Sequence, residues 1–303
     1  MICLYIEPGT TGENELKFTT LPRGFCSNCC PAKVYRDVRF VLYTRANPDS
    51  GVAIERLKAG AARAAGVDPS LPSVIFIHGF SEMSPGQSGR NIVDAYLSRQ
   101  DNYNLILLDW SELSTFPWYV IAVRNVKYVG LRLKQFIEVF NESGEIPIGN
   151  LHVIGFSLGA HIAGVAGKIL GADLRIPRIT GLDPALPEFS LNDTSNRLTA
   201  TDADYVDVIH TDSGVFGIPI SIGHADFYPN GGRALQPGCL PSDLVGRLAN
   251  HVVACSHVRA WRLYAQSVRD ERAFPSTKCN VWRGPNRQCN FSTDAYMGYP
   301  NTK

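Results

Sequence analysis

Leu151-His-Val-Ile-Gly155-Phe-Ser157-Leu-Gly159-Ala-His161 passes from a short apolar run into an Ala- and Gly-rich segment that continues to Leu170. The run from 151 to 154 reads as a buried strand and 158–170 as a helix. Between them lies the pattern G-x-S-x-G. A strand that meets a helix through so sharp a turn holds the Ser157 hydroxyl clear of the backbone. Glycines on either side of it let the strand and helix backbones approach closely. A Gly/Ser-rich turn whose hydroxyl merely caps the helix is the plain alternative, but the flanking strand and helix favour a presented nucleophile.

Outward from this turn the same alternation repeats. Val38-Arg-Phe-Val-Leu-Tyr43 is rich in strand formers, and Ser73-Val-Ile-Phe-Ile77 is an apolar run ending at His78-Gly79. Leu105-Ile-Leu-Leu108 ends at Asp109-Trp110, and residues 91–99 read as a helix. Apolar residues at 120, 123, 126, 129, 133, 136, 137 and 140 recur at helical spacing. Strands follow at 176–182 and 206–210, and a closing helix at 255–268. Alternation of this kind predicts the α/β class, with a mostly parallel sheet covered by helices on both faces. No linker-like segment divides the chain, so a single main domain is expected.

Composition agrees with a folded chain. Its 303 residues are 45% hydrophobic and 19% charged, with a formal net charge of +1. Whole-chain charge therefore gives no basis for nucleic-acid binding, and no apolar run approaches the length of a membrane span. Eight cysteines and three N-glycosylation sequons, at Asn141, Asn192 and Asn290, point to an oxidising compartment. The apolar start at 1–6 is ended by Glu7, so no signal peptide is visible. A zinc reading of Cys26-Ser-Asn-Cys29-Cys30 lacks a second close ligand pair. Disulfide pairing among Cys3, Cys26, Cys29 and Cys30 is expected, with its connectivity open.

A serine nucleophile needs a base, and the base needs a carboxylate to orient it. In chain order these follow as Ser, then Asp or Glu, then His. Asp183, in Gly181-Leu-Asp183-Pro-Ala185, ends the strand after the Ser157 helix, on the same sheet edge. The histidines beyond it are His210, His224, His251 and His257. Spacing alone leaves the choice among them open, although Cys255 could fix His257 at a helix start. Donors for a developing oxyanion are expected from the backbone N–H of Leu158, the residue after the nucleophile, and of Phe80 in His78-Gly-Phe80.

Taken together, Asp37-Val-Arg-Phe-Val-Leu-Tyr-Thr-Arg45, His78-Gly-Phe80, Leu108-Asp-Trp110, Gly155-Phe-Ser-Leu-Gly-Ala-His161, Gly181-Leu-Asp-Pro-Ala185, Val206-Asp-Val-Ile-His-Thr-Asp212, His224-Ala-Asp-Phe-Tyr-Pro-Asn-Gly-Gly232 and Cys255-Ser-His257 resemble the pancreatic lipase family of secreted animal lipases. These segments are ordered and span residues 34–268. The resemblance implies an α/β-hydrolase fold over 34–303, preceded by a Cys-containing extension at 1–33 and without the family's C-terminal β-sandwich domain. It implies a triad of Ser157, Asp183 and His257, with His224 in a loop supporting the site. It pairs Cys239 with Cys255 around a lid, and Cys279 with Cys289.

The lid interval at 241–254 and the apolar loop at 213–222 are both short. In this family that combination goes with phospholipase A1 activity, in a short-lid branch of arthropod type, with neutral glyceride hydrolysis as the alternative. The family also contains yolk proteins that keep the fold without the nucleophile, whereas every triad position is filled here. In the longer relatives a calcium ion sits after the triad Asp. At the equivalent stretch Asp202 remains, but Thr194 and Thr199 stand where carboxylates would be expected, so no metal is expected. The implied partner is a lipid substrate at a membrane, micelle or droplet surface, with no cofactor, nucleic acid or protein partner.

Overall fold

The structure is a computed structural model. It describes residues 19–239, 249–281, 288–289 and 292–300. Its strands are β1 (Arg23–Gly24), β2 (Cys30–Pro31), β3 (Arg39–Tyr43), β4 (Val52–Ala53), β5 (Ser73–Ile77), β6 (Asn104–Asp109), β7 (Leu151–Phe156), β8 (Arg178–Leu182), β9 (Tyr205–Ile209) and β10 (Ala225–Phe227), followed by four short strands between 275 and 296. The helices are α1 (Val34–Asp37), α2 (Ala61–Ala65), α3 (Gly86–Leu97), α4 (Tyr119–Glu142), α5 (Leu158–Leu170) and α6 (Ala249–Arg269).

One eight-stranded sheet runs in the order β10-β9-β8-β7-β5-β6-β3-β4. The six strands from β10 to β6 are parallel, while β3 and β4 add antiparallel at one edge. Alternation along β5 shows how the layers form. Ile75 and Ile77 face a core shared with α4 and α5, including Val129, Phe136 and Ile162. Val74 and Phe76 face a second core shared with α3 and α6, including Tyr96 and Trp261. Strands buried on both faces explain the unbroken apolar runs in the sequence.

The α4 and α5 boundaries match the periodic segments closely. Two helices begin earlier than the pattern suggests. Helix α3 starts at Gly86 rather than 91, because Gly-Gln-Ser-Gly has weak helical propensity yet packs on β6; a Cβ on Gly89 would sit 3.0 Å from Leu107 Cδ1. Helix α6 starts at Ala249, so His257 lies within it rather than at its start. Strand β8 begins after Pro177, at Arg178.

The disulfides Cys239–Cys255 and Cys279–Cys289 are present, and Cys26 pairs with Cys29. Cys30 is also disulfide-bonded. Cys3, the lid residues 240–248 and the Asn290 sequon lie outside the described residues.

Candidate active site

Parallel strands point their carboxyl ends at one edge of the sheet, and β7 and β8 deliver Ser157 and Asp183 there. Ser157 adopts φ 55° and ψ −119° between strand and helix, a conformation that costs a non-glycine residue energy and must be held by its surroundings. Its N–H donates to the Leu182 carbonyl at 3.0 Å, and its own carbonyl accepts from Ala160 N–H at 3.1 Å. The glycines flanking it are required by contact: a Cβ on Gly155 would strike the Gly159 carbonyl, and one on Gly159 would strike that of Ile77. Ser157 is 5% exposed.

Asp183 is fully buried. One oxygen accepts the backbone N–H groups of Thr211 at 2.8 Å and Asp212 at 3.1 Å. The other lies 2.6 Å from His257 Nδ1. Of the three described histidine side chains downstream of Asp183, that of His257 is the one that reaches it. His210 instead sets its ring nitrogens against the Ile218 carbonyl at 3.0 Å and the Asp226 carboxylate at 2.8 Å, tying down the loop at 213–222. His224 accepts from Val206 N–H at the start of β9, the strand end remote from Ser157, so its ring does not reach the site. The side chain of His251 is not described.

The His257 ring packs on Phe156, with centroids 4.7 Å apart. Among the described residues no hydrogen bond joins Ser157 Oγ to His257. In unliganded hydrolases such bonds are often long and close only on the substrate.

The oxyanion candidates converge on the same spot. A Cβ built on Gly79 would lie 3.0 Å from Ser157 Cβ, so the His78-Gly-Phe80 segment runs directly over the serine. Gly79 N–H is engaged by Glu82 at 2.7 Å and Ser81 N–H by the Ser114 carbonyl at 2.7 Å. Among the described residues neither the Phe80 nor the Leu158 amide has an acceptor, which leaves two N–H donors beside Ser157.

Two features were not foreseen from the pattern of residues. Asp212 is 1% exposed, and neither carboxylate oxygen has a hydrogen bond of good geometry among the described residues, although the Phe216 amide faces the group. Asp183, Asp212 and His257 present ligand-type atoms within 4.8 Å of one another. Burial, reinforced by the neighbouring Asp183 charge, pushes the Asp212 carboxyl up to about 6. The signal for it was the His210-Thr-Asp212 run just past β9, the strand beside Asp183. The second feature is Lys168, whose ammonium donates to Asp202 at 2.5 and 2.6 Å, to the Arg197 carbonyl at 2.9 Å and to Thr199 Oγ1 at 3.2 Å. The segment at 197–202 thus closes around a lysine of α5.

A six-stranded parallel core, extended by antiparallel strands at one edge, with a serine on the strand-to-helix turn and a His–Asp pair at the next strand ends, is an α/β-hydrolase fold. The chain belongs to the lipase family, whose profile matches residues 9–302. It is 35% identical to pancreatic triacylglycerol lipase of Mus musculus over 83% of this chain and 56% of that protein. It is 32% identical to phospholipase A1 member A of Homo sapiens over 90% of this chain and 59% of that protein. It is 33% identical to hepatic triacylglycerol lipase of Oryctolagus cuniculus over 88% of this chain and 56% of that protein. The chain spans about half to three-fifths of the length of these relatives.

Proposed function

We propose that this chain is a secreted carboxylic ester hydrolase that cleaves acyl esters of glycerolipids, acting as a phospholipase A1 that releases the sn-1 fatty acid. The observation that carries the hydrolase reading is the 2.6 Å contact of His257 Nδ1 with Asp183, at the strand end next to the strained Ser157 turn. Residues 34–303 form the hydrolase domain in this reading.

The chemistry follows from the geometry. His257 takes the Ser157 proton as Oγ attacks the ester carbonyl, forming a tetrahedral intermediate. Asp183 fixes the imidazole tautomer with Nδ1–H toward the carboxylate and stabilises the ring when it gains the proton. The N–H groups of Phe80 and Leu158 receive the oxyanion, and loss of one such donor typically costs about 10²–10³ in rate. His257 then protonates the leaving glycerol oxygen. Water attacks the acyl-enzyme in the same way and releases the fatty acid.

The substrate class rests on coarser support. Relatives named for triacylglycerol and for phospholipase A1 activity match similarly well. The loop at 213–222 is short and carries exposed Val215, while Phe216 lies 5.7 Å from the His257 ring. A short loop here suits a substrate with a polar head group. Among the described residues no helix is long and apolar enough to cross a membrane.

Titration of released fatty acid, with phosphatidylcholine, monoacylglycerol and trioleoylglycerol at matched interfacial area, tests the order of substrates. Fastest release from phosphatidylcholine is expected; fastest release from trioleoylglycerol would assign a neutral lipase.

A further inference from the structure

We propose that the exposed first turns of α4 form a docking surface for an anionic lipid interface, so that the protein seats itself preferentially on membranes carrying negatively charged head groups. This deepens the glycerolipid reading and rests on it. Helix α4 is the crossover between the parallel strands β6 and β7. It therefore starts on the sheet edge that carries Ser157 and runs away from it. Its start adjoins the site: Tyr119 packs edge-on against Phe80 with centroids 5.1 Å apart, and its hydroxyl donates to the Pro187 carbonyl at 3.0 Å.

From that point the exposed positions 120, 124, 127 and 131 follow helical spacing down one stripe, the first three of them, nearest the site, being Val120, Arg124 and Lys127. The stripe opens with Val120, 44% exposed, and Phe116 in the segment leading into the helix is 47% exposed. The stripe continues with Arg124 and Lys127, both exposed. At 1.5 Å per residue, Arg124 lies about 6 Å and Lys127 about 10 Å farther along the axis than Val120. A head-group layer is about 5–7 Å deep on each side of a bilayer. Docked with the helix axis along the membrane normal and its apolar side chains at the acyl boundary, α4 puts Arg124 at phosphate level and Lys127 within a Debye length of it.

The cations are poorly offset on this face. Lys127 Nζ lies over the Tyr128 ring at 4.9 Å, which holds its charge at the surface. The nearby carboxylates are already engaged, Asp37 with Arg23 at 3.3 Å and Glu138 with Lys134 at 2.5 Å. In a chain of net charge +1 this is a local excess of positive charge. A polyanion such as a sulfated polysaccharide would match the charge but would make no use of Phe116 and Val120, so the order of apolar then cationic residues favours lipid.

The test uses the intact protein and ether-linked lipids, which it cannot hydrolyse. Flotation is measured with vesicles of dialkyl phosphatidylcholine alone and mixed with dialkyl phosphatidylglycerol, at low and high salt. Binding to the mixed vesicles is expected to be about tenfold tighter at low salt and to lose that margin at high salt. The Arg124→Gln/Lys127→Gln variant should lose about tenfold on mixed vesicles, with binding to phosphatidylcholine and turnover of a soluble short-chain ester unchanged. Equal binding to both vesicles, or selectivity that survives in the double variant, would overturn the proposal. So would tight binding of a heparin fragment without any vesicle charge preference. Charge-selective binding by a protein that fails to hydrolyse the soluble ester would support the surface while overturning the hydrolase reading.

Discussion

Asp183 and Asp212 stand at neighbouring strand ends, are equally hidden from water, and live in opposite surroundings. Asp183 receives two backbone N–H groups and the His257 ring. Asp212 gives its own N–H to Asp183, while its carboxylate has only the Phe216 amide facing it, short of good hydrogen-bond geometry. The difference shows that a buried acid is suited to orienting a base by its donors rather than by burial. A carboxylate without well-placed donors is driven toward its neutral form, and burial together with the Asp183 charge moves Asp212 that way.

The sharpest way to break this comparison is to remove each charge in turn. Asp183→Asn should lower kcat on a soluble ester by about 10⁴, because the amide leaves the imidazole in the wrong tautomer. Asp212→Asn should change it less than about tenfold, since the group touches no reacting atom. Comparable losses in the two variants would make the carboxylates a shared acid.

A smaller effect sharpens the geometry. Gly217 presses against Asp183 so closely that a Cβ there would collide with its carboxylate. Gly217→Ala should displace the acid and cost about 10² in kcat, with the fold retained by circular dichroism.

The smallest effect is on stability. Asp212 has a folded-state pKa of about 6, above its ordinary value. Between the two values the folded chain keeps a proton that the unfolded chain has lost, so this group makes stability fall as pH rises through roughly 4 to 6. Asp212→Asn should therefore raise Tm at pH 7 by about 2–4 °C relative to the parent. At pH 4 the two melting temperatures should nearly coincide. A parent that is no less stable than the variant at pH 7 would contradict the assignment.

The central turn was legible because local chemistry and fold demand the same thing there. An apolar strand, two glycines and an Ala-rich helix admit few other arrangements, and α5 runs over the residues the pattern marks. The beginnings of α3 and α6 were not legible: Gly-rich or lid-proximal residues are drawn into helix by packing, which propensity alone does not register. The base was legible only through resemblance. Four histidines follow Asp183, and nothing in their spacing says that α6 folds back to deliver the ring of His257. Asp212 could be noticed as a strand-end acid, but its lack of well-placed donors exists only once segments far apart in sequence close around it. Lys168 is similar: its place on α5 is readable, while the oxygens it collects come from the segment at 197–202.

Reaction with a serine-directed fluorophosphonate, followed by peptide mass analysis and by its rate, tests the convergence of the three side chains most directly. A single adduct on Ser157, forming about 10⁴ times more slowly in His257→Gln, is the predicted result. An adduct on another serine, or a rate indifferent to residue 257, would contradict it.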